Sequence, residues 1–325
     1  MDEVENILIS VLLPVGSLRP WISECLESIK HSSNNLNVEL IIVLNNLNVS
    51  EEKIVSNLVK KIWGRDFQIL LDESDNLADV LNAGIHRAKG QFIARIDDDD
   101  LMERDRLSNQ IKHFSKYPKT VLIGGSTRVI DKYGQQIRVN HFPTSNDQLK
   151  QAIKYGNCFA HSTVMFSKKN AVRVGMYESK YLFAEDYQLW TKLAETGEMY
   201  NLDSPVGSYR LHESQANLKK KKIQVLSIKQ IIQEIAVSDF QGIHTPKRKK
   251  ITRKNGKFKG NESVMNSVIL SRQYFAIARL FADDVQRFNL KSITNLLISF
   301  MLNPIEFSRL VLSANSIRSK ERFLT

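Results

Sequence analysis

Cysteine is scarce: the chain has Cys25 and Cys158 and no other in 325 residues. Two thiols give neither a disulfide framework nor a metal-ligand spacing, so a reducing compartment is expected. No uninterrupted apolar run reaches the length that spans a bilayer. The opening Met1-Asp2-Glu3-Val4-Glu5-Asn6 is acidic and lacks the basic region of a signal peptide. A cytoplasmic location is expected from these three absences. Zinc-finger spacing is also missing, as is any aromatic-rich, glycine-punctuated sheet motif of the RNA-binding kind. A nucleic-acid partner is therefore not expected. There is no internal repeat, and no low-complexity segment apart from lysine clusters.

What remains is 42% hydrophobic and 25% charged, the composition of an ordinary globular protein. The length suits one large domain with a smaller appendage, divided here at residues 1–215 and 216–325. The net charge of +11 admits anionic partners. Much of that excess lies in Lys219–Lys222 and in Lys247-Arg248-Lys249-Lys250 through Arg253, Lys254, Lys257 and Lys259. The preceding part is far more balanced.

The stretch Gly90-Gln-Phe-Ile-Ala-Arg-Ile-Asp-Asp-Asp-Asp100 stands out. Phe92 to Ile96 is a short apolar run that suits one buried strand, and it ends in four carboxylates, Asp97 to Asp100. Acids crowded at a buried strand end cost several kcal/mol (roughly) unless positive charge joins them. Mg²⁺ or Mn²⁺ is the natural partner of such oxygens. On an extended strand end Asp97 and Asp99 point to one side and would share an ion, or split ion and ligand between them. An arbitrary aspartate run is more often a solvated turn; the strand before this one argues otherwise.

The rest of the chain supplies context. Strands are expected at 7–13, ended by Pro14, and at 38–44, 67–71 and 92–96; helices are expected at 20–30, 51–63 capped by Ser50, and 77–88 stopped by a left-handed Gly90. This alternation predicts an α/β fold, a mostly parallel sheet flanked by helices. Ligands bind such sheets beyond the carboxyl ends of the strands, where Pro14, Asn45, Asp72 and Asp97 fall. Further on, a helix is expected at 104–115, strands at 120–130 and 135–139, and a helix to 155 capped by Asn146. A strand at 162–166, helices at 167–174 and 187–195, and short strands at 199–202 and 206–211 follow. Beyond His212 a helical pattern at 223–236, a basic linker at 246–260, a long helix at 264–288 and an apolar stripe at 293–301 make a basic, mainly helical extension.

Several of these stretches resemble family 2 inverting glycosyltransferases of bacterial surface polysaccharide synthesis. They are Ile9-Ser10-Val11-Leu12-Leu13-Pro14-Val15, Glu39-Leu40-Ile41-Ile42-Val43, Leu81-Asn82-Ala83-Gly84-Ile85 running on to the aspartates, His161-Ser162-Thr163, Ala184-Glu185-Asp186 and Tyr209-Arg210-Leu211-His212. The matching residues run in the family's order from about Ile7 to Asn217. The resemblance implies the type-A glycosyltransferase fold, a nucleotide-sugar donor (a UDP-sugar foremost), and a glycan or lipid-linked glycan acceptor. It implies that Asp97 and Asp99 hold Mn²⁺ or Mg²⁺ with His212 nearby, and that Asp98 and Asp100 serve the donor or the acid pair. It also implies that Asp186, with Glu185 as the lesser candidate, is the catalytic base. Pro14 and Val15 would line the nucleotide base, Asn82 and Arg95 would support the donor pocket, and Arg210 would neutralise phosphate or simply be solvated.

One departure is plain: Leu44-Asn45-Asn46 stands where the family usually carries an acid. Asn45 can hydrogen-bond a uracil edge but supplies no charge. That departure supports one alternative, a non-catalytic sugar-nucleotide binder or assembly subunit. Asp99-Asp100 with Asp105 supports a second, a prenyl diphosphate synthase, which would be all-helical. The basic extension has two readings, helices packed on the catalytic domain or on a second copy in a homo-oligomer, or peripheral docking to an anionic membrane.

Overall fold

Nine strands form one sheet in the computed structural model, which describes residues 9–64, 66–213 and 218–243. The first half alternates: β1 (Ile9–Val15), α1 (Ile22–Ser32), β2 (Val38–Asn45), α2 (Val49–Ile62), β3 (Phe67–Asp72), α3 (Leu77–Arg87) and β4 (Phe92–Arg95). The second half adds β5 (Leu101–Met102), α4 (Arg106–Lys116), β6 (Thr120–Ile130), β7 (Gln136–Asn140), α5 (Asn146–Ala152), β8 (Met165–Ser167), α6 (Lys168–Arg173), α7 (Glu185–Ala194), β9 (Glu198–Arg210) and α8 (Leu218–Ile243). The strand order is β3-β2-β1-β4-β8-β6-β9-β5, with β7 on β6.

β3, β2, β1 and β4 run parallel, and the burial of β1, β2 and β4 on both faces explains their continuous apolar sequences. β8 then enters antiparallel between β4 and β6, while β6 and β9 run parallel to each other. The core packs Val11, Leu13, Leu40 and Ile42 against Cys25, Leu26 and Val59, all fully buried. Gly84 of α3 lets that helix sit on the sheet, since a Cβ there would fall 2.2 Å from Leu12 Cδ1. Glu39 is buried in the same layer and ties β1 to the turn before β4: its Oε1 accepts from Ser10 Oγ at 2.6 Å and from the Lys89 N–H at 2.6 Å.

Several local expectations change. Pro14 lies inside β1, paired with Val43, because its missing N–H is tolerated near the strand end. Asn48, not Ser50, caps α2 in a capping box with Glu51, and Ser145, not Asn146, caps α5 with Gln148. Gly90 is not left-handed; α3 ends through Ala88, and the Gly90 N–H donates to Ser10 Oγ at 2.9 Å. Residues 161–163 form a 3-10 turn before a shorter β8. The two short strands expected at 199–211 are one strand, β9, carried past Asp203-Ser204-Pro205 by register shifts against β6.

The chain divides into two compact units, Met1–Ile228 and Lys229–Thr325. In the first, α8 secures the segment before α7: Gln224 Nε2 donates to Phe183 O at 2.8 Å and Ser227 Oγ to Leu182 O at 2.9 Å. The expected basic linker at 246–260, the helix at 264–288 and the stripe at 293–301 lie outside the described residues. Among the described residues no helix is long and apolar enough to cross a membrane.

Candidate active site

The carboxyl ends of β1, β2 and β4 meet as expected, and the acids follow β4 in a turn rather than on an extended strand. The Asp100 N–H closes that turn on Asp97 O at 3.2 Å. The turn gathers one oxygen each of Asp97, Asp99 and Asp100 within 4.8 Å of one another, with Asp98 outside the group. Ser162 Oγ accepts the Asp97 N–H at 2.8 Å, so the 3-10 turn fixes where the acids begin.

Two buried arginines lie beneath. Arg95, 1% exposed, grips both Asp97 oxygens with its guanidinium fork. Arg106, also 1% exposed, has no carboxylate among its hydrogen-bond partners; it donates to Ser162 O (2.7 Å), Arg95 O (2.8 Å), Val164 O (2.9 Å) and Gln110 Oε1 (3.2 Å). Burial pulls the Arg106 pKa down to about 9. It therefore acts as a clamp joining β4 to the 3-10 turn and β8.

The other side of the acids is closed by β9. The Arg210 N–H donates to Asp100 Oδ1 at 2.9 Å. Arg210 itself is 1% exposed, so the solvated reading is wrong. Its guanidinium donates to Asp99 O (3.0 Å) and Glu24 Oε2 (2.8 Å) and lies 5.3 Å from the Trp21 ring centre. These bonds hold the guanidinium against the aspartate turn and α1. His212 lies beside the acids, Nε2 to Asp99 Oδ2 at 2.8 Å, with its ring 4.8 Å from Trp21.

The donor set suits a divalent cation. Carboxylate oxygens with one imidazole are hard to borderline ligands of the kind Mg²⁺ and Mn²⁺ accept. Asp100 Oδ2 is buried without a hydrogen-bond partner, and burial, with Asp97 and Asp99, pushes the Asp100 carboxyl well above the usual range. Burial also raises Asp98 to about 7, against the pull of Arg19. Asp97, Asp99, Asp100 and His212 are the groups that would hold the ion.

A second pair of acids opens α7. The helix N-cap is Ala184, which offers no side-chain cap, so neither Glu185 nor Asp186 is the cap; both occupy the first turn. Asp186 Oδ2 accepts from Asn157 Nδ2 at 2.7 Å and Oδ1 from the Tyr187 N–H at 2.7 Å. A helix N-terminus favours ionised acids by about 0.3–1 kcal/mol. Burial outweighs it: Glu185 is pushed up to about 7 by burial and then by Asp186, and Asp186 is raised by burial despite its two hydrogen bonds. Both acids also feel Arg95, which places them in the electrostatic neighbourhood of the aspartate turn.

The remaining expected residues act as supports. Asn82 spends its amide on the Tyr177 backbone, donating to O at 2.9 Å and accepting from N–H at 3.1 Å. Tyr177 OH in turn meets His161 Nε2 at 2.9 Å. Asn45 donates to Asp72 O and Ser74 O, each at 2.9 Å, so the donor half of a uracil contact is already committed. Pro14 and Val15 are buried, leaving Gly16 and Ser17 as the first exposed residues past β1. A cavity of about 210 Å³ borders the acids, lined by Asp97, Asp100, Thr127, His161, Ser162 and Ser208 among others.

Sequence reasoning missed Arg19, Ser162 as an anchor, Asn157 and Arg106. Arg19 bonds Asp99 through Nη1 and approaches Asp98 Oδ1 at 3.6 Å. Its signal was position, five residues past Pro14 at a strand end where ligands collect. Asn157 and Arg106 carry no such signal, because their partners are distant in sequence.

Comparison with known proteins identifies the family and the fold. A family model described as glycosyl transferase family 2 matches residues 10–174. The amylovoran biosynthesis glycosyltransferase AmsE of Erwinia amylovora is 30% identical over 179 residues, 54% of this chain and 65% of AmsE. The match thus spans less than two-thirds of that relative's length. Among solved structures, the mannosyltransferase PcManGT from Pyrobaculum calidifontis, in complex with GDP-Man and Mn²⁺, aligns with a TM-score of 0.57 at 14% identity, over 95% of this chain and 79% of that one. S. aureus TarS 1-349, in complex with UDP-GlcNAc, aligns with a TM-score of 0.51 at 15% identity, over 96% and 92%. These likenesses show the type-A glycosyltransferase fold. With half its length matched, from β1 through the aspartate turn to α6, the chain belongs to glycosyl transferase family 2.

Proposed function

We propose that the protein is a metal-dependent, inverting glycosyltransferase. It moves a sugar from a nucleoside-diphosphate donor, a UDP-sugar foremost, to a hydroxyl of a glycan or lipid-linked glycan in surface polysaccharide synthesis. The observation that carries this reading is the pairing of two acid groups. One is the Asp97, Asp99 and Asp100 turn with His212; the other is Asp186, held by Asn157 and within the field of Arg95. Membership of the family and the role in AmsE's name, amylovoran biosynthesis, support the substrate class. PcManGT was solved with GDP-Man and TarS with UDP-GlcNAc, so fold alone does not choose the base.

A bound Mn²⁺ or Mg²⁺ supplies Lewis acidity at the departing diphosphate. Asp186 takes the acceptor hydroxyl's proton as that oxygen attacks the anomeric carbon. The new C–O bond forms while the bond to the diphosphate breaks, and the diphosphate leaves with the electron pair. Asn157 holds Asp186 Oδ2 and keeps the carboxylate oriented. The raised pKa of Asp186 makes it a stronger base than an exposed aspartate. One base and a single displacement invert the anomeric centre, by analogy with glycosidases that use no covalent intermediate.

Calorimetry with UDP, GDP and CDP, with and without Mn²⁺, tests the site on wild type and Asp99→Ala. One nucleotide, UDP foremost, is expected to bind only with Mn²⁺, with at least about tenfold loss in the variant, or ~1.4 kcal/mol. No binding of any nucleotide removes the enzyme assignment and leaves the fold. Binding that ignores both metal and variant means the aspartate turn has another purpose. Binding without product, across a panel of glycan acceptors, favours the non-catalytic alternative.

A further inference from the structure

The loop between β1 and α1 places Arg19 among groups the family reading reserves for a metal. Arg19 Nη1 bonds Asp99 Oδ2 and stands 3.1 Å from His212 Nε2, while Nε lies 3.6 Å from Asp98 Oδ1. The guanidinium therefore occupies the space beside both Asp99 Oδ2 and His212 Nε2, two atoms that a cation would use together. We propose that Arg19 is an exchangeable counter-ion. It neutralises Asp98 and Asp99 while no donor is bound, and it moves onto the diphosphate when metal and donor arrive. This rests on the nucleoside-diphosphate reading above.

Three observations separate Arg19 from the other arginines of the site. Its side chain is 30% exposed, whereas Arg95, Arg106 and Arg210 are each 1% exposed, Arg95 forked onto Asp97 and the other two held by several partners. Its neutral hydrogen-bond partner, Ser17 Oγ at 3.2 Å, lies on the same loop. Space is open beside that loop: a Cβ added at Gly16 would meet nothing within 4 Å. Among the described residues Arg19 pairs with Asp98 and Asp99, while Arg95 pairs with Asp97.

Charge then dictates the order of events. A divalent ion alone must displace a guanidinium from two carboxylates, and like charges oppose it at close range. A diphosphate brings enough negative charge to accept the displaced guanidinium, whose planar fork suits two phosphate oxygens. Metal and diphosphate thus bind synergistically, and metal alone binds weakly.

The test titrates Mn²⁺ alone, followed by electron paramagnetic resonance, into wild type, Arg19→Gln and Arg19→Lys, and then repeats it with pyrophosphate present. Thermal melts confirm that each variant is folded. Arg19→Gln is expected to bind Mn²⁺ alone about tenfold more tightly than wild type and to lose most of the synergy with pyrophosphate. Arg19→Lys keeps the charge without the fork, so its Mn²⁺ affinity should stay near wild type while its synergy with pyrophosphate falls. Equal or weaker Mn²⁺ binding by Arg19→Gln overturns the counter-ion role. Tighter Mn²⁺ binding with full synergy overturns the transfer to diphosphate. If none of the three proteins binds Mn²⁺ under either condition, the metal reading fails and takes this proposal with it.

Discussion

Asp186 and Glu185 are neighbours in the first turn of α7, yet among the described residues only Asp186 is held by a side chain from another segment, Asn157. Asp186→Asn is therefore expected to lower kcat by about 10³-fold, within the range for losing a general base, with donor binding nearly unchanged. Glu185→Gln should cost less than about tenfold. An equal loss in both would assign the proton transfer to the pair rather than to Asp186. Because the base works ionised and burial raises its pKa, the rate should climb with pH through a midpoint above the ordinary aspartate range.

Glu185 carries a separate stability prediction. Burial, then Asp186, lifts its folded pKa from 4.5 to about 7, so the folded state binds the proton more tightly than the unfolded state. The stability this supplies is complete below 4.5 and is lost as pH rises through about 7. Glu185→Gln should thus be more stable than wild type at pH 8, by roughly 1–3 kcal/mol, with a much smaller difference at pH 5. Denaturant titration at the two values measures it; a difference independent of pH would contradict the shift.

At the level of elements, α3 shows two effects in opposition. Gly84→Ala adds helix propensity worth about 1 kcal/mol. It also drives a Cβ to 2.2 Å from Leu12 Cδ1 and 3.2 Å from Val43 Cγ2, in a layer where Leu12 is 1% exposed. Overpacking of this kind costs about 1–3 kcal/mol, so the clash should win and the midpoint of urea unfolding should fall. A rise would mean that Leu12 has room to rotate away.

The same scale shows why some elements were legible. β1, β2 and β4 are parallel and buried on both faces, so their apolar runs announced them. β9 was read as two strands because Asp203-Ser204-Pro205 interrupts the pattern, and only pairing with β6 carries the strand through. The sequence predicts a left-handed stop at Gly90, whereas its N–H donates to Ser10 Oγ and Glu39 Oε1, contacts 80 and 51 residues away.

For the whole molecule, the mixed sheet with helices removes the prenyl synthase alternative, which requires an all-helical fold. The basic segments beyond residue 243 lie outside the described residues, and their charge yields a prediction about partners. The protein should pellet with phosphatidylserine vesicles at low salt and be released as ionic strength rises past physiological, where the Debye length falls below about 8 Å. Protein that stays in solution with anionic vesicles at low salt would leave packing on this chain or a second copy as the reading of that extension.

The amino-acid sequence alone determined the alternating elements, the aspartate cluster, the base candidate at the start of α7 and the histidine after β9. The elements and the cluster are local signals, carried by periodicity and by like charges side by side, whereas the base candidate and the histidine are what the family resemblance implies. The tertiary structure decided which charges answer which. It set Arg95 under Asp97, Arg19 against Asp98 and Asp99, Asn157 on Asp186 and Arg210 on Glu24. Except for Arg95 and Asp97, these partners lie 29 to 186 residues apart. A run of aspartates states that positive charge is required; the fold alone chooses which side chain supplies it, because that depends on how strands distant in sequence lie together in the sheet.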